Sequence, residues 1–551
     1  MRACIASAAL LLSASAAVAQ VGSSPDVVFT GTFVTLDSAF PHAGAVAVRG
    51  GRIIAIGSRA HADSAVGRSA RHVALDGVAL PGFADAHAHP TSLGEQLEII
   101  DLHRLSKPAI LSRVRQAAQS LPAGEWIRGA GWDQQFWDSP QFPTARELDS
   151  VSGAHPVMLH RIDGHSVWVN SEALRLAHIT AAQGDPSGGH IVRDATGAPT
   201  GMLVDSAAYL VEHAVPAPSD AVLERQLRRA MMQYAEWGLT SVHDAGEEER
   251  AIDLYESLAR KGALTIRAYV MVLGPSPSLA KWLERGPEIG AGDGMLTIRS
   301  IKLLADGALG SRGAELSAPY SDAPGERGLV LVSENAIDSI IRLAVPRGFQ
   351  VNIHAIGDAA VHRVLDAFER AGPSARPLRF RVEHASLVRD EDVPRFAQLG
   401  VIASMQPVFV GEYSRWAMER VGAERIHWVY RTRDLVNAGA LIAAGTDYPS
   451  SDVGDAISTL YSMVTRHGAD GSPTGGWYPE QRVDVDVALR SMTRAPAYAA
   501  FQERDLGALT VGRYADFTVL SADPTRIAPD SLRSLRVLAT VVGGRVVYRA
   551  K

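Results

Sequence analysis

Pro81-Gly82-Phe83-Ala84-Asp85-Ala86-His87-Ala88-His89 is the stretch on which the fold turns. An apolar run ends there in a His-x-His pair. Residues i and i+2 of a strand point to the same face, so His87 and His89 can grip one cation from a single strand end. Imidazole is a borderline ligand that suits zinc and similar transition metals. Working outward, four later segments also read as ends of buried strands. They are Ile298-Arg299-Ser300-Ile301-Lys302, Val351-Asn352-Ile353-His354, Phe380-Arg381-Val382-Glu383-His384 and Ala443-Ala444-Gly445-Thr446-Asp447.

These residue types form a set with a chemical logic. His354 and His384, from separate strands, supply a second pair of ligands for a second cation. Two dications close together need an anion between them, and an ammonium on Lys302 would repel both. Beside dications the charged form of Lys302 is disfavoured and its pKa falls. A neutral amine captures carbon dioxide as a carbamate, which is a bridging carboxylate. Asp447 adds an oxygen ligand and is the natural acceptor for a proton from activated water. Each residue alone has a plainer reading. The chain holds eighteen histidines, most of which must be structural, and an isolated lysine is ordinarily at the surface. The ordered set is what outweighs those readings.

The topology agrees with the chemistry. Eight apolar strand candidates, beginning near Ala79, Thr240, Ile266, Ile298, Gln350, Arg379, Val401 and Leu441, alternate with helical stretches. That pattern predicts an α/β fold, a (β/α)8 TIM-like barrel over residues 81–499, with its site at the C-terminal strand ends. The six ligand candidates fall late in units one, four, five, six and eight. Residues 100–225 are too long for one crossover helix and predict an insertion after strand one. It emerges on the site's face and reads as a lid. Residues 20–80 and 500–551 are rich in short β patterns, with Gly-Gly turn signals at Gly50-Gly51 and Gly543-Gly544.

The ordered ligand set, together with 81–89, resembles the amidohydrolase superfamily. More narrowly it looks like the amidohydrolase-3 group of YtcJ-like and N-substituted formamide deformylase-like proteins. Narrower markers are Asp163-Gly164-His165-Ser166, Gly188-Gly189-His190-Ile191-Val192, Ala305-Asp306-Gly307-Ala308-Leu309-Gly310-Ser311-Arg312 and Gly507-Ala508-Leu509-Thr510-Val511-Gly512-Arg513. The resemblance implies that the two termini pair into one small β-sandwich. It also implies one or two divalent metals, two Zn2+ by first expectation, with Lys302 carboxylated on Nζ. On that resemblance the expected metals would activate water for attack on a carbonyl, with Asp447 expected to carry the proton to the leaving nitrogen. His165 is expected to hydrogen-bond the substrate, Trp132 to line its pocket with Trp137 and Trp168, and Asp306 and Arg312 to contact it. Arg312 suits a carboxylate, or else a structural pair with Asp306. His243-Asp244, at the end of strand two, is expected either to approach the cavity or to support it from behind.

Composition narrows the rest. Net charge is −6 over 551 residues, which argues against a nucleic-acid partner. Arg2 precedes an apolar run from about Ile5 to Val18, and Ala17-Val18-Ala19 fits a cleavage site. Residues 1–19 therefore read as a secretory signal peptide, too short for a membrane span. The single cysteine, Cys4, lies inside it, so the mature chain has no thiol. The expectation is a periplasmic or secreted enzyme without a membrane span, acting on a small molecule, with a homo-oligomer left open. The leading activity is hydrolysis of a non-peptide C–N bond in an N-acyl or N-formyl compound. A lactone, ester or carbamate would suit the same ligands, and a non-catalytic binding protein is the third class.

Overall fold

The computed structural model describes residues 26–551 apart from 103–104, 135–136, 140, 162–165, 187–188 and 311. The expected signal segment and His165 lie outside the described residues.

Eight parallel strands form the central sheet: Phe83–Ala88, Leu239–Glu247, Arg267–Leu273, Leu296–Leu304, Gln350–Ala355, Arg381–His384, Ile402–Met405 and Leu441–Ala444. All eight expected strands are present in the expected order. Most are buried along nearly their whole length, as parallel strands covered by helices must be. The eighth strand returns beside the first. There Asp447 N donates to His87 O at 2.7 Å, and Thr446 N donates to Asp85 Oδ1 at 3.0 Å. These bonds bring the two ends of the sheet together into a nearly closed barrel.

The termini build one mixed sheet of seven strands. The N-terminal strands Val27–Val34, His42–Arg49, Arg52–Gly57 and Arg71–Pro81 join the C-terminal Phe517–Leu520, Val537–Val542 and Arg545–Arg549 through antiparallel pairing of Thr518 with Leu80. The sheet curls over its own core of Phe29, Phe33, Val48, Phe517 and Val541. The curl brings the two Gly-Gly turns together. A Cβ on Gly51 would stand 3.5 Å from Gly543 O, and one on Gly544 would stand 2.7 Å from a Val48 methyl. Strands four positions apart in a flat sheet would be far too distant for that contact.

Between the first barrel strand and helix Asp220–Glu236 stands the insertion, a six-stranded sheet with its own helices. Within it Gly189–Arg193 pairs antiparallel with Pro199–Asp205 as a hairpin. Two apolar clusters fill the insertion, one of them built around Trp132, Trp137 and Trp168. Among the described residues, no helix is long and apolar enough to cross a membrane.

Candidate metal centre

The strand ends bring the ligand candidates into one cluster. His89 Nε2 lies 3.0 Å from Asp447 Oδ1, and His87 Nε2 lies 3.5 Å from the same oxygen. One ligand atom from each of the three falls within 4.8 Å of the others. Lys302 Nζ is 3.2 Å from His87 Nε2. His384 packs against both His87 and His354, at ring-centroid separations of 4.7 and 4.5 Å. All six sequence-predicted ligands therefore stand together at the C-terminal end of the barrel.

The backbone is bent to achieve this. His384, Ala385 and Asp447 have φ of 72°, 43° and 63°, in the left-handed region that non-glycine residues avoid. Such conformations cost about 1–3 kcal/mol each and persist where surrounding structure over-determines them. Here each lies where a ligand leaves its strand.

Two further carboxylates orient the ligands, and sequence reasoning gave neither a role. Glu383 Oε2 is 2.5 Å from His87 Nδ1, with both side chains wholly buried. The contact commits Nδ1 and turns Nε2 to the cluster. Asp85 Oδ1 accepts from the backbone N–H of His87 and of Thr446, both at 3.0 Å, and its Oδ2 accepts from Thr446 Oγ1 at 2.6 Å. It thus latches the strand carrying His87 to the one carrying Asp447. A sequence signal existed for both. Asp85 shares the His87 face by alternation, and Glu383 is an acid inside a buried strand. Gln406 does similar work on His384, accepting from Nδ1 at 2.9 Å.

The electrostatics fit a cation. Burial holds the imidazoles of His87, His354 and His384 below their usual range, His354 at about 3, so all three are neutral. Neutral imidazole is the ligating form. Among the described residues, His354 Nε2 is buried without a hydrogen-bond partner. Burial also pushes the Lys302 amine down, against the opposing pull of Glu383, Asp447 and Asp244. Burial pushes Asp447 up, but the hydrogen bond with His89 and the pull of the basic groups around it outweigh it and hold the carboxyl low. Neutral imidazoles, an ionised carboxylate and a readily neutralised amine are the donors that divalent transition metals take.

Among the expected substrate contacts, Trp132, Asp306 and Arg312 each have partners within the protein. Trp132 is fully buried, donates Nε1–H to Leu159 O at 2.8 Å and stacks on Trp137. Trp137 and Trp168 likewise donate to Leu105 O and Thr144 O, so the three indoles form the insertion's own core. Arg312 holds Asp322, with bonds of 2.9 and 3.2 Å, rather than Asp306. Asp306 is buried and accepts from the N–H groups of Ile356, Gly357 and Glu315. Its carboxylate ties three loop segments together and lies 3.5 Å from His354 Nε2. His243 and Asp244 are buried as well. His243 Nδ1 faces the Arg381 guanidinium at 3.1 Å, and Asp244 accepts from Tyr255 OH at 2.7 Å.

Comparison with known proteins places this geometry. A model of the amidohydrolase family matches residues 74–548. YtcJ of Bacillus subtilis is 33% identical over 485 residues, covering 86% of this chain and 90% of the relative. An N-substituted formamide deformylase of Arthrobacter pascens is 28% identical, covering 93% and 96%. The crystal structure of a metal-dependent hydrolase from Pyrococcus horikoshii superposes with a TM-score of 0.76 at 29% identity, over 92% of this chain and 99% of the other.

Proposed function

The chain belongs to the amidohydrolase family and is a metal-dependent hydrolase, and from that premise we propose that it cleaves a non-peptide C–N bond in a small N-acyl or N-formyl compound. The observation that carries the reading is the Asp447 carboxylate, 3.0 Å from His89 Nε2 and 3.5 Å from His87 Nε2 at the mouth of the barrel. The formamide deformylase relative supports the choice of bond.

His87, His89 and Asp447 would hold one cation, and His354 and His384 a second, with Lys302 between them as its carbamate. Two Zn2+ are the ions this donor set suits best. Divalent cations held there supply Lewis acidity and bring water towards ionisation near neutral pH. The residues do the rest. Glu383 holds His87 at Nδ1 and Gln406 holds His384 at Nδ1, so each ring keeps one orientation. Asp447, ionised at neutral pH, takes the proton of the attacking water on its carboxylate and returns it to the departing nitrogen. Its backbone bond to His87 O keeps that carboxylate beside the first strand. The insertion, which leaves the barrel after strand one, would act as the lid that limits water. A signal peptide over residues 1–19 would send the enzyme to the periplasm or outside the cell.

Matched amide, ester and lactone substrates, assayed with wild type and Asp447→Asn, test this. The expected result is turnover of the amide by wild type and its loss in the variant, with metal still bound. Amide turnover retained in Asp447→Asn, or ester and lactone turnover alone, would overturn the reading.

A further inference from the structure

The floor of the barrel, at the end away from the metal centre, holds a cavity of about 530 Å³. Leu441 and Ile442 line it at the start of strand eight, whose other end leads to Asp447. Helices Thr432–Asn437, Val485–Ser491 and Arg494–Ala499 stand around it, the first two giving Val436 and Val487 to its wall. The third closes the floor, where its Ala499 O accepts from Gln350 at the start of strand five. Leu506, on the chain leading into the terminal sheet, completes the apolar lining. A concave site of about 300–1,000 Å³, with mostly apolar walls and a few placed polar groups, is the ordinary form of a small-molecule site.

The charged groups on this cavity are three arginines, Arg490, Arg494 and Arg513, and one acid, Glu503. Glu503 is spent on Arg379, which donates to both its oxygens at 2.9 and 2.7 Å. Arg490 is paired with Asp486 at 2.9 Å. Arg494 and Arg513 differ. Among the described residues they donate only to backbone carbonyls, Leu36 O and Leu506 O, and neither has an ion-pair partner. The other acids whose charge reaches Arg513 are committed as well, Asp505 to Arg52 at 2.7 Å and Asp37 to the N–H of Ala39 at 3.1 Å. Burial, then the positive charge of Arg494, hold the Arg513 guanidinium below its usual range. Two guanidinium groups on one cavity, with no carboxylate between them, repel each other. A planar anion that accepts from both removes that cost, and carboxylate is the geometry their forks match. The apolar wall beside them favours an anion that carries hydrocarbon.

We infer that this cavity is a binding site, separate from the metal centre, for a single-chain aliphatic carboxylate. Its carboxylate lies between Arg494 and Arg513, and its chain lies along Val436, Leu441 and Val487.

The test is calorimetric titration of the metal-loaded full chain with octanoate, butyrate and octan-1-ol. Wild type is compared with Arg494→Gln, Arg513→Gln and Val487→Trp, and melting without ligand shows whether each variant is folded. Octanoate should bind wild type. Butyrate should bind more weakly, by roughly fourfold for each methylene no longer buried. Octan-1-ol, without charge-assisted bonds, should bind about tenfold or more weakly. Either arginine variant should weaken octanoate by about tenfold. Val487→Trp, which keeps both arginines and fills the cavity, should weaken it too. Octanoate affinity unchanged in the variants would put the carboxylate on the metals and overturn the inference. No binding to wild type, or octan-1-ol binding as tightly as octanoate, would also overturn it. Cosedimentation with phosphatidylglycerol vesicles separates a free acid from a lipid surface, and binding to vesicles without binding to octanoate counts against the proposal. Should an arginine variant fail to fold, Val487→Trp and the alcohol comparison in wild type still decide.

Discussion

Glu383→Gln is the sharpest perturbation of the metal centre, because it removes one charge and almost no volume. In the native protein the carboxylate lies 2.5 Å from His87 Nδ1, with neither side chain exposed. Hydrogen bonds to a charged partner contribute about 1.5–3 kcal/mol, and neutral ones about 0.5–1.5. A glutamine carbonyl keeps the neutral bond, so the loss is roughly 1–2 kcal/mol of orientation on His87. That corresponds to a factor of about 5–30 in an equilibrium constant. Removing the outer partner of a ligating histidine ordinarily costs about 10–100-fold in metal affinity, so the two estimates overlap near tenfold. The assay is competition for metal against a chromophoric chelator at neutral pH, with thermal melting of the loaded variant to show that it is folded. A folded variant whose affinity matches wild type would refute the role given to Glu383 and leave His87 oriented by its strand alone.

Gly445→Ala should cost about 1–3 kcal/mol as overpacking, because a Cβ there would stand 2.5 Å from His87 N and 2.9 Å from Asp85 Oδ1. The denaturant midpoint reads this, and an unmoved midpoint would contradict the closure described for strands one and eight. Metal-free protein should lose stability as pH falls below about 6.5, the unfolded histidine value. Burial, helped by Lys302 and His87, puts folded His354 at about 3, so between those values the unfolded chain binds more protons, at about 1.4 kcal/mol per pH unit for one such group. Asp306, pushed up to about 7 by burial, runs the other way. The reading is therefore the difference made by His354→Gln, which should flatten the dependence, and an identical slope would count against it. Arg312→Ala should leave KM and the melting temperature nearly unchanged, since its guanidinium is spent on Asp322. A steep rise in KM would restore Arg312 as a substrate contact.

The barrel was legible because its strands are buried from end to end and end on residues that apolar strands otherwise exclude. His87, Lys302, His354, His384 and Asp447 stood out for that reason, and the structure gathers them. Residues whose meaning depends on a partner distant in sequence were not legible. Asp85 and Glu383 sit inside the quoted strand ends, but only the folded barrel puts Thr446 beside one and the His87 ring beside the other. For Arg312 the sequence offers a carboxylate ligand or Asp306, but its loop turns back and brings Asp322, sixteen residues beyond Asp306, to the guanidinium. Trp132 fills a core instead of a pocket wall, and sequence pattern alone does not distinguish the two. The insertion proved large enough to need a core of its own.

The most direct test of the account is the metal content of the purified protein after exhaustive dialysis, by elemental mass spectrometry. The account predicts tightly held divalent metal, with about two ions per chain if Lys302 bridges the pairs His87–His89 and His354–His384 as its carbamate. Folded protein, grown with metal supplied and retaining none, would contradict it.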